Sequence, residues 1–192
     1  VFDNTLDVAL NLKNGTRYNV YAELVKRVQL DLIGSNAGFE FAEGFMTVLG
    51  LDARHYQRLD KRSILAIRAA AATSFGSERN LFFLGGVDNW LFPSTNENIP
   101  LPQSDDFAYQ TLAANMRGFR QNIRNGNSYA LINTELRVPI FTYFSRRIRS
   151  PFFRNFQIVG FFDLGTAWEG PDPFSEESPL NTVVIQQDNT RI

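Results

Sequence analysis

The chain has 192 residues, with 19 lysines and arginines against 20 aspartates and glutamates, and no cysteine. A formal net charge of −1 gives no general attraction to nucleic acid, so we expect no nucleic-acid partner. The absence of cysteine and the single histidine exclude disulfides and thiolate or multi-histidine metal sites. We therefore expect no metal, no cofactor and no catalytic residues, and we interpret His55 as an interfacial residue without a catalytic role.

The chain lacks the sequence features of a helical membrane protein. Its uncharged stretches are shorter than the roughly 20 apolar residues of a spanning helix. It begins at Val1 without a signal peptide, so we expect a fragment or a processed product of a longer protein. The slightly negative mean hydropathy does not exclude a membrane barrel, because a barrel strand turns only every second side chain toward lipid.

Strict alternation predicts two strands in the first part of the chain. Apolar residues occupy five of the six even positions of 2–12, while most odd positions are polar, which is the pattern of a strand. Lys13-Asn14-Gly15 predicts a tight turn. A second strand over 16–33 follows, and it is longer than the 9 to 11 residues that cross the hydrocarbon layer.

Two more strands follow a predicted loop at 34–46. Alternation predicts strands over 47–59 and 63–75, joined by a turn at Asp60-Lys61-Arg62. The alanine run in the second of these has helical propensity as an alternative, but the hairpin context favours a strand. Residues 76–127 have no sustained periodicity and predict a loop that is much longer than an ordinary connection.

The last two predicted strands cover 128–138 and 157–168, and the chain beyond Trp168 is polar and rich in turn residues. The connection between these strands is basic. A solvated turn is the simplest interpretation, and contact with acidic lipid head groups or with a neighbouring domain is the alternative. The basic residues are Arg146, Arg147, Arg149 and Arg154.

Together these patterns predict an all-β fold, namely a transmembrane antiparallel β-barrel of which residues 1–192 hold about six strands. The alternation of shorter turns with long loops is typical of outer-membrane barrels. The 18 phenylalanines, 6 tyrosines and 2 tryptophans suit aromatic girdles. Because six strands alone would leave open edges in lipid, further strands must come from missing sequence or from another chain.

Four segments in one order carry a family resemblance. They are Phe83-Leu84-Gly85-Gly86, Met116-Arg117-Gly118-Phe119, Asn133-Thr134-Glu135-Leu136-Arg137-Val138-Pro139 and Gly160-Phe161-Phe162-Asp163-Leu164-Gly165-Thr166-Ala167-Trp168. The combination resembles the bacterial surface antigen superfamily, the BamA-, TamA- and FhaC-like barrels. The resemblance implies about six strands of an expected sixteen, and a location in the bacterial outer membrane.

The resemblance also implies a site inside the barrel. The loop 76–127 would begin at Gly85 and Gly86 and enter the lumen, where Arg117 would offer its planar donor fork to lumenal partners. Gly118 would allow a tight backbone approach, and Phe119 would serve as an apolar anchor. The implied lumenal partners, which alternation places on the polar faces of their strands, are Asp163, Glu135 and Arg137.

Two features depart from the family pattern. About 30 residues separate the Gly-Gly segment from Arg-Gly-Phe, which predicts an inserted stretch able to hold partner contacts. The last strands of a sixteen-stranded barrel and any periplasmic POTRA domains are not within this sequence. Asp88-Asn89-Trp90 and residues 122–127 also resemble the C-terminal barrels of large Bacteroidetes proteins that carry an N-terminal β-propeller.

The implied function is outer-membrane protein assembly or secretion. A passive channel, or a barrel anchor within a cell-surface complex that has no foldase activity, is the alternative. An enzyme is a third hypothesis, but no Ser/His/Asp arrangement can be placed around one histidine on an apolar face. The expected partners are the lipid bilayer and lipopolysaccharide, other outer-membrane or periplasmic proteins, and the missing barrel strands.

Overall fold

The computed structural model describes residues 1–31, 38–87, 92, 94–99, 107–145, 147–170 and 172–174, without the side chains of 27–31, 38–43, 107–109, 112 and 114. This part of the chain is mostly antiparallel β-sheet, with 63% strand and 7% helix. None of its helices has the length and apolar character to span a bilayer.

The described residues form two sheets and two short helices. The larger sheet has seven strands in the order β1-β3-β4-β5-β9-β10, with β2 also paired to β3, and the smaller sheet has the order β7-β6-β8. The elements are β1 (Phe2–Asp3), β2 (Leu6–Ala9), β3 (Leu12–Asp31), β4 (Gly38–Arg58), β5 (Ile64–Gly76), β6 (Arg79–Leu84), β7 (Phe107–Ala114), β8 (Arg124–Gly126), β9 (Ser128–Val138), α1 (Ile140–Phe144), α2 (Pro151–Asn155) and β10 (Ile158–Trp168).

The predicted strand over 2–12 is confirmed in part, since β1 and β2 lie within it and both pair antiparallel with β3, but the predicted turn at 13–15 is wrong. The strand is broken into β1 and β2, and the chain reverses at residues 10–11, because Ala9 pairs directly with Leu12. Gly15 lies inside β3 with φ 121°, where a Cβ would come within 2.6 Å of the Asn4 carbonyl oxygen. This glycine therefore permits a close approach at the break between β1 and β2, and does not form a turn.

The predicted loop over 34–46 is also wrong where the structure describes it. Strand β4 begins at Gly38 and runs to Arg58, so 38–46 is strand, while 34–37 lies outside the described residues. Gly44 has φ 117°, and the amide of Phe45 bonds to the Ser77 hydroxyl oxygen at 3.0 Å. A glycine within a strand marks an irregular pairing.

The three later strands of the larger sheet lie close to their predicted spans. Strand β5 covers Ile64–Gly76 against the predicted 63–75, and β9 covers Ser128–Val138. Strand β10 covers Ile158–Trp168 against 157–168. The helical alternative for the alanine run is wrong, because side chains that alternate between buried and exposed positions keep this segment in the sheet.

The prediction that residues 76–127 form only a loop is wrong. Strand β6 pairs in parallel with β7 and antiparallel with β8. Leu81, Phe82 and Leu84 in β6 are all buried. A strand buried on both faces shows no alternation, which explains why periodicity missed it. Residues 88–91 and 100–106 lie outside the described residues.

Two short helices occupy the connection between β9 and β10. The first follows Pro139, and the second begins at Pro151, where a missing amide hydrogen costs no helical bond. Arg146 lies outside the described residues.

The chain divides into two compact units, each with its own buried side chains. Unit 1 comprises Val1–Val25, Thr47–Ala72 and Ala130–Gly165, and unit 2 comprises Lys26–Met46, Thr73–Tyr129 and Thr166–Ile192. The buried apolar side chains of unit 1 are Leu12, Val48, Ile64, Ala66, Ala70, Ala72 and Leu131; those of unit 2 are Met46, Leu81, Phe82, Leu84, Met116, Tyr129 and Ala167.

Candidate functional site

Unit 1 carries a cluster of charged side chains on one face of strands β4 and β5. The carboxylate of Asp52 accepts hydrogen bonds from Arg54 Nε at 2.9 Å and Arg54 Nη2 at 3.1 Å. It also accepts from Arg68 Nη2 at 2.7 Å and Arg68 Nε at 3.1 Å. One carboxylate between two guanidinium groups leaves this cluster with a net positive charge.

A second pair of charges lies on β9 in the same unit. Arg137 donates to one carboxylate oxygen of Glu135, from Nε at 2.8 Å and from Nη2 at 2.5 Å. Its remaining Nη1 donates to the Asn11 carbonyl at 2.7 Å. Arg137 therefore ties the reversal between β2 and β3 to β9. The sequence predicted both residues as lumenal partners, and the structure places both half-buried on one face of β9.

The strand positions that alternate with these charges hold exposed apolar side chains. We call this set the apolar face and the half-buried set opposite it the charged face. The apolar face consists of Tyr18, Val20, Leu24, Leu49, Leu51, Ile67, Ile132, Leu136, Ile158, Phe162 and Leu164. The charged face consists of Asp52, Arg54, Arg68, Asn133, Glu135, Arg137 and Asp163, all of intermediate exposure.

His55 lies among the alternating positions of the apolar face. Its Nδ1 is hydrogen-bonded to the Thr16 hydroxyl at 2.8 Å, and its Nε2 lies 3.4 Å from Gln57 Oε1. Both ring nitrogens of His55 therefore lie next to a polar side chain, one on β3 and one on β4. No group of three histidines, cysteines or carboxylates that could hold a metal occurs in the described part of the chain.

Unit 2 brings together the two segments that the sequence predicted as the start and the tip of the lumen loop. Gly86 donates its amide to the Phe119 carbonyl at 3.0 Å, and its own carbonyl accepts from the Met116 amide at 3.1 Å. A Cβ on Gly85 would lie 2.1 Å from the Arg120 carbonyl oxygen. The tight backbone approach in this motif therefore occurs at Gly85.

Arg117 occupies the tip of a four-residue turn. The Phe119 amide donates to the Met116 carbonyl at 3.4 Å, and Gly118 has φ 87°, the value that the third residue of a type II turn requires. The predicted reason for Gly118 is wrong, because nothing lies within 4 Å of where its Cβ would be. Gly118 supplies a left-handed conformation, which presents a half-buried Arg117 and leaves Phe119 partly exposed.

The predicted pairing of Arg117 with Asp163 stays a prediction. Arg117 belongs to unit 2, and Asp163 belongs to unit 1 on strand β10. Asp88-Asn89-Trp90, which carried part of the sequence resemblance, lies outside the described residues.

Buried polar side chains hold the base of this loop in unit 2. Asn127 donates from its side-chain nitrogen to the Ser74 carbonyl at 2.8 Å, and the Ser74 amide donates to the Asn127 carbonyl at 2.7 Å. The side-chain oxygen of Asn127 accepts from the Gly170 amide at 2.8 Å. Since an unpaired buried amide costs about 1–3 kcal/mol, such full pairing specifies one arrangement of these segments.

The turn between β4 and β5 forms a further polar cluster in unit 1. The Asp60 carboxylate accepts hydrogen bonds from the Tyr143 hydroxyl and from the amides of Arg62 at 2.6 Å and Ser63 at 2.8 Å. The Tyr143 hydroxyl, Ser63 amide and Arg62 amide lower the pKa of Asp60 to about 2. The Asp60 carboxylate in turn raises the pKa of Tyr143. This cluster joins α1 to the turn.

Sequence reasoning placed Asp52, Arg54 and Arg68 on polar sides of their strands but did not group them. The sequence did contain a basis for grouping them. A hairpin symmetric about Lys61 places Arg54 opposite Arg68, and Asp52 lies two residues from Arg54 on the same face of its strand. The contact of Asp60 with Tyr143 had no such signal, since 83 residues separate the two.

Comparisons of the chain with protein-family models, with curated proteins and with solved structures gave no match.

Proposed function

We propose that this chain forms part of a membrane-spanning β-barrel in a bacterial outer membrane, with its apolar face toward lipid and its charged face toward the lumen. The observation that carries the proposal is the exposed apolar face of unit 1, which lies opposite a face that holds half-buried charges beside buried apolar side chains such as Val48 and Ile64. Leu24 and Phe162 are 76% and 64% exposed, whereas the side chain of Asp52 is only 23% exposed. A water-soluble sheet turns polar side chains to solvent on its outer face.

Energetics supports the lipid environment. Burying one large apolar side chain is worth about 1.5–3 kcal/mol, so eleven exposed ones on one face would forgo a large stabilisation in water. Within the described residues of unit 1 no Asp, Glu, Lys or Arg interrupts the apolar face, and Lys26, the next position of this face along β3, lies in unit 2. A continuous apolar surface of this kind is rare on soluble monomers and ordinary on barrels.

Strand length agrees with this proposal. Strands β9 and β10 each have 11 residues, and β5 has 13. A tilted strand needs about 9–11 residues to cross the hydrocarbon layer. Strands β3 and β4, with 20 and 21 residues, would extend beyond it. The sheet path ends at β1 and β10, so further strands would pair there in the complete barrel.

Within this fold we propose a role in outer-membrane protein assembly or secretion, of the surface antigen type. The support is the order of the sequence motifs, together with the backbone bonds that join Gly86 to Met116 and Phe119. These bonds make one folded loop of segments that the resemblance treats as one functional unit. In the proposed barrel, Arg117 at the turn tip would engage the lumenal carboxylate of Asp163.

Spin labels on single cysteines test the lipid-facing assignment, because the chain contains no cysteine of its own. Ile67→Cys and Ile132→Cys probe the apolar face, and the adjacent Ala66→Cys and Asn133→Cys are matched controls on the same strands. We expect labels on the apolar face of the membrane-inserted protein to collide with oxygen, and not with a water-soluble nickel chelate. Greater nickel access on the apolar face would contradict a barrel.

Charge reversal tests the proposed lumenal pairing in the full-length protein. We expect Arg117→Asp and Asp163→Arg each to reduce heat-modifiable barrel formation, and the double variant to restore it, because the swapped pair keeps its attraction. Arg120→Asp, on an exposed neighbour of the same turn, is the control. Single variants that behave like the wild type would contradict the pairing.

Depletion of the full-length protein tests the role in assembly. We expect the folded fraction of other outer-membrane barrels to fall. Unchanged levels of folded barrels would contradict assembly activity while leaving the membrane-spanning fold in place.

A further inference from the structure

A cleft in unit 1, with a volume of about 450 Å³, is lined by cations. It lies where the β2–β3 reversal, the β4–β5 turn and the segment with α1 and α2 come together. Four positively charged side chains line it, and none of the described carboxylates does. The cations are Arg58, Lys61, Arg62 and Arg154.

These four cations outnumber the carboxylate that interacts with them, which is Asp60. None of the four forms an ion pair within the described part of the chain. Arg58 donates to the Lys61 carbonyl at 3.3 Å, and the Arg62 guanidinium lies 5.3 Å from the centroid of the Tyr143 ring. The nearby Asp60 carboxylate interacts electrostatically with Arg62, and it offsets at most one of the four positive charges. The cleft therefore attracts an anion.

The remaining lining of the cleft is largely apolar. Leu12 and Ile64 are buried there, and Val8, Leu10 and Pro139 complete an aliphatic surface. A small hydrated anion gains nothing from such a surface. An amphiphile gains from both parts, with its anionic group among the cations and its aliphatic part against the apolar lining.

An aromatic cluster lies next to the cleft in the same connection. Phe141 stacks edge-on against Phe153 and Phe156, with ring centroids 5.1 and 5.3 Å away. Phe152 and Phe144 are 67% and 85% exposed. Exposed phenylalanine rings together with arginines occur in segments that lie in the membrane interface. Arg154, which lines the cleft, belongs to this cluster's helix α2.

We propose that the cleft binds the anionic head group of a phospholipid, with the phosphate among the four cations and the adjoining aliphatic part on the apolar lining. The inference rests on the membrane location proposed above. It adds a ligand class and a site to that location, and it assigns Arg154 of the basic connection to lipid contact instead of to a solvated turn.

Binding measured by calorimetry on the full chain in a neutral detergent tests this inference. The probes are a short-chain phosphatidylglycerol, the matching phosphatidylcholine, and inorganic phosphate alone. We expect the anionic lipid to bind at least tenfold more tightly than the other two, because only this lipid combines a net negative head group with an aliphatic part. Phosphate binding as tightly as the anionic lipid would overturn the lipid assignment, as would equal affinity for phosphatidylcholine.

Two arginines of the same connection give a matched comparison. Arg154→Ala removes an exposed cation that lines the cleft, and should weaken phosphatidylglycerol binding about fivefold. Arg149→Ala removes an exposed cation that does not line it, and should leave the affinity unchanged. Equal losses in both variants would mean diffuse surface attraction and would overturn the site.

Heat-modifiable mobility of the same variants separates the two proposals. A protein that inserts as a barrel but does not prefer phosphatidylglycerol contradicts the cleft alone. A protein that does not insert contradicts the proposed function.

Discussion

Two leucines show how differently the two units use apolar residues. Leu51, on strand β4 in unit 1, is 40% exposed, while Leu84, on strand β6 in unit 2, is fully buried. Around Leu51 the polar side chains are the half-buried ones, whereas Leu84 lies in an ordinary apolar core. The comparison teaches that the same residue type is exposed on a strand of one unit and fully buried on a strand of the other.

Truncating the buried leucine should have the largest effect. Leu84→Ala should lower the free energy of unfolding by about 2–5 kcal/mol, because it leaves a cavity in a packed core. Leu59→Ala, at a 56% exposed position, is the matched control and should change the free energy of unfolding much less. Equilibrium urea denaturation in detergent measures both, and equal losses would break the distinction between the two units.

A charge on the apolar face should have the next largest effect. Leu51→Arg should destabilise the membrane-inserted protein by about 2–4 kcal/mol, because the guanidinium would face hydrocarbon. If the face were in water, the change would be within about 0.5 kcal/mol. Gln57→Arg near the end of the same strand is the control. Unfolding from lipid vesicles gives the two values, and a neutral Leu51→Arg would argue against lipid contact.

The smallest expected effect concerns the stability contribution of Asp60, which lies in the turn between β4 and β5. The pKa of Asp60 is lowered to about 2 from an ordinary 3.8, so its contribution to stability is complete above about pH 4 and is lost as the pH falls toward 2. Tyr143→Phe removes the hydroxyl that contributes most to this shift.

We expect Tyr143→Phe to reduce the part of the acid-induced fall in melting temperature that occurs between pH 4 and pH 2. Melting curves of the variant and the wild type over this range measure the difference. Tyr18→Phe, on the apolar face and away from Asp60, should keep the wild-type profile. Parallel profiles for Tyr143→Phe and the wild type would contradict the role of this hydrogen bond.

Alternation predicted the strands with one exposed and one half-buried face. In β5, β9 and β10 the side-chain period of two is preserved along the segment, so the predicted and observed spans nearly coincide. It failed in β6, where both faces are buried, and at Gly15 and Gly44, where positive φ values interrupt the pairing.

The sequence also grouped part of the candidate site. Gly85 and Gly86 were predicted as the start of the loop and Arg117 as its tip, and backbone hydrogen bonds join the Gly86 segment to the Arg117 turn in unit 2. The physical role of each glycine was not readable. Gly85 is required both by its φ of 105° and by the nearby Arg120 carbonyl, while Gly118 is required by its φ of 87° alone.

By itself the sequence determined the all-β class and which side chains share a face of each strand, because both follow from local alternation. It also determined that thiolate and multi-histidine metal chemistry is excluded, because this follows from composition. Only the tertiary structure decided that the charged face is half-buried and the apolar face exposed, that Tyr143 holds Asp60, and that four cations share one cleft. These features depend on contacts between residues far apart in the chain, and no local pattern encodes such contacts.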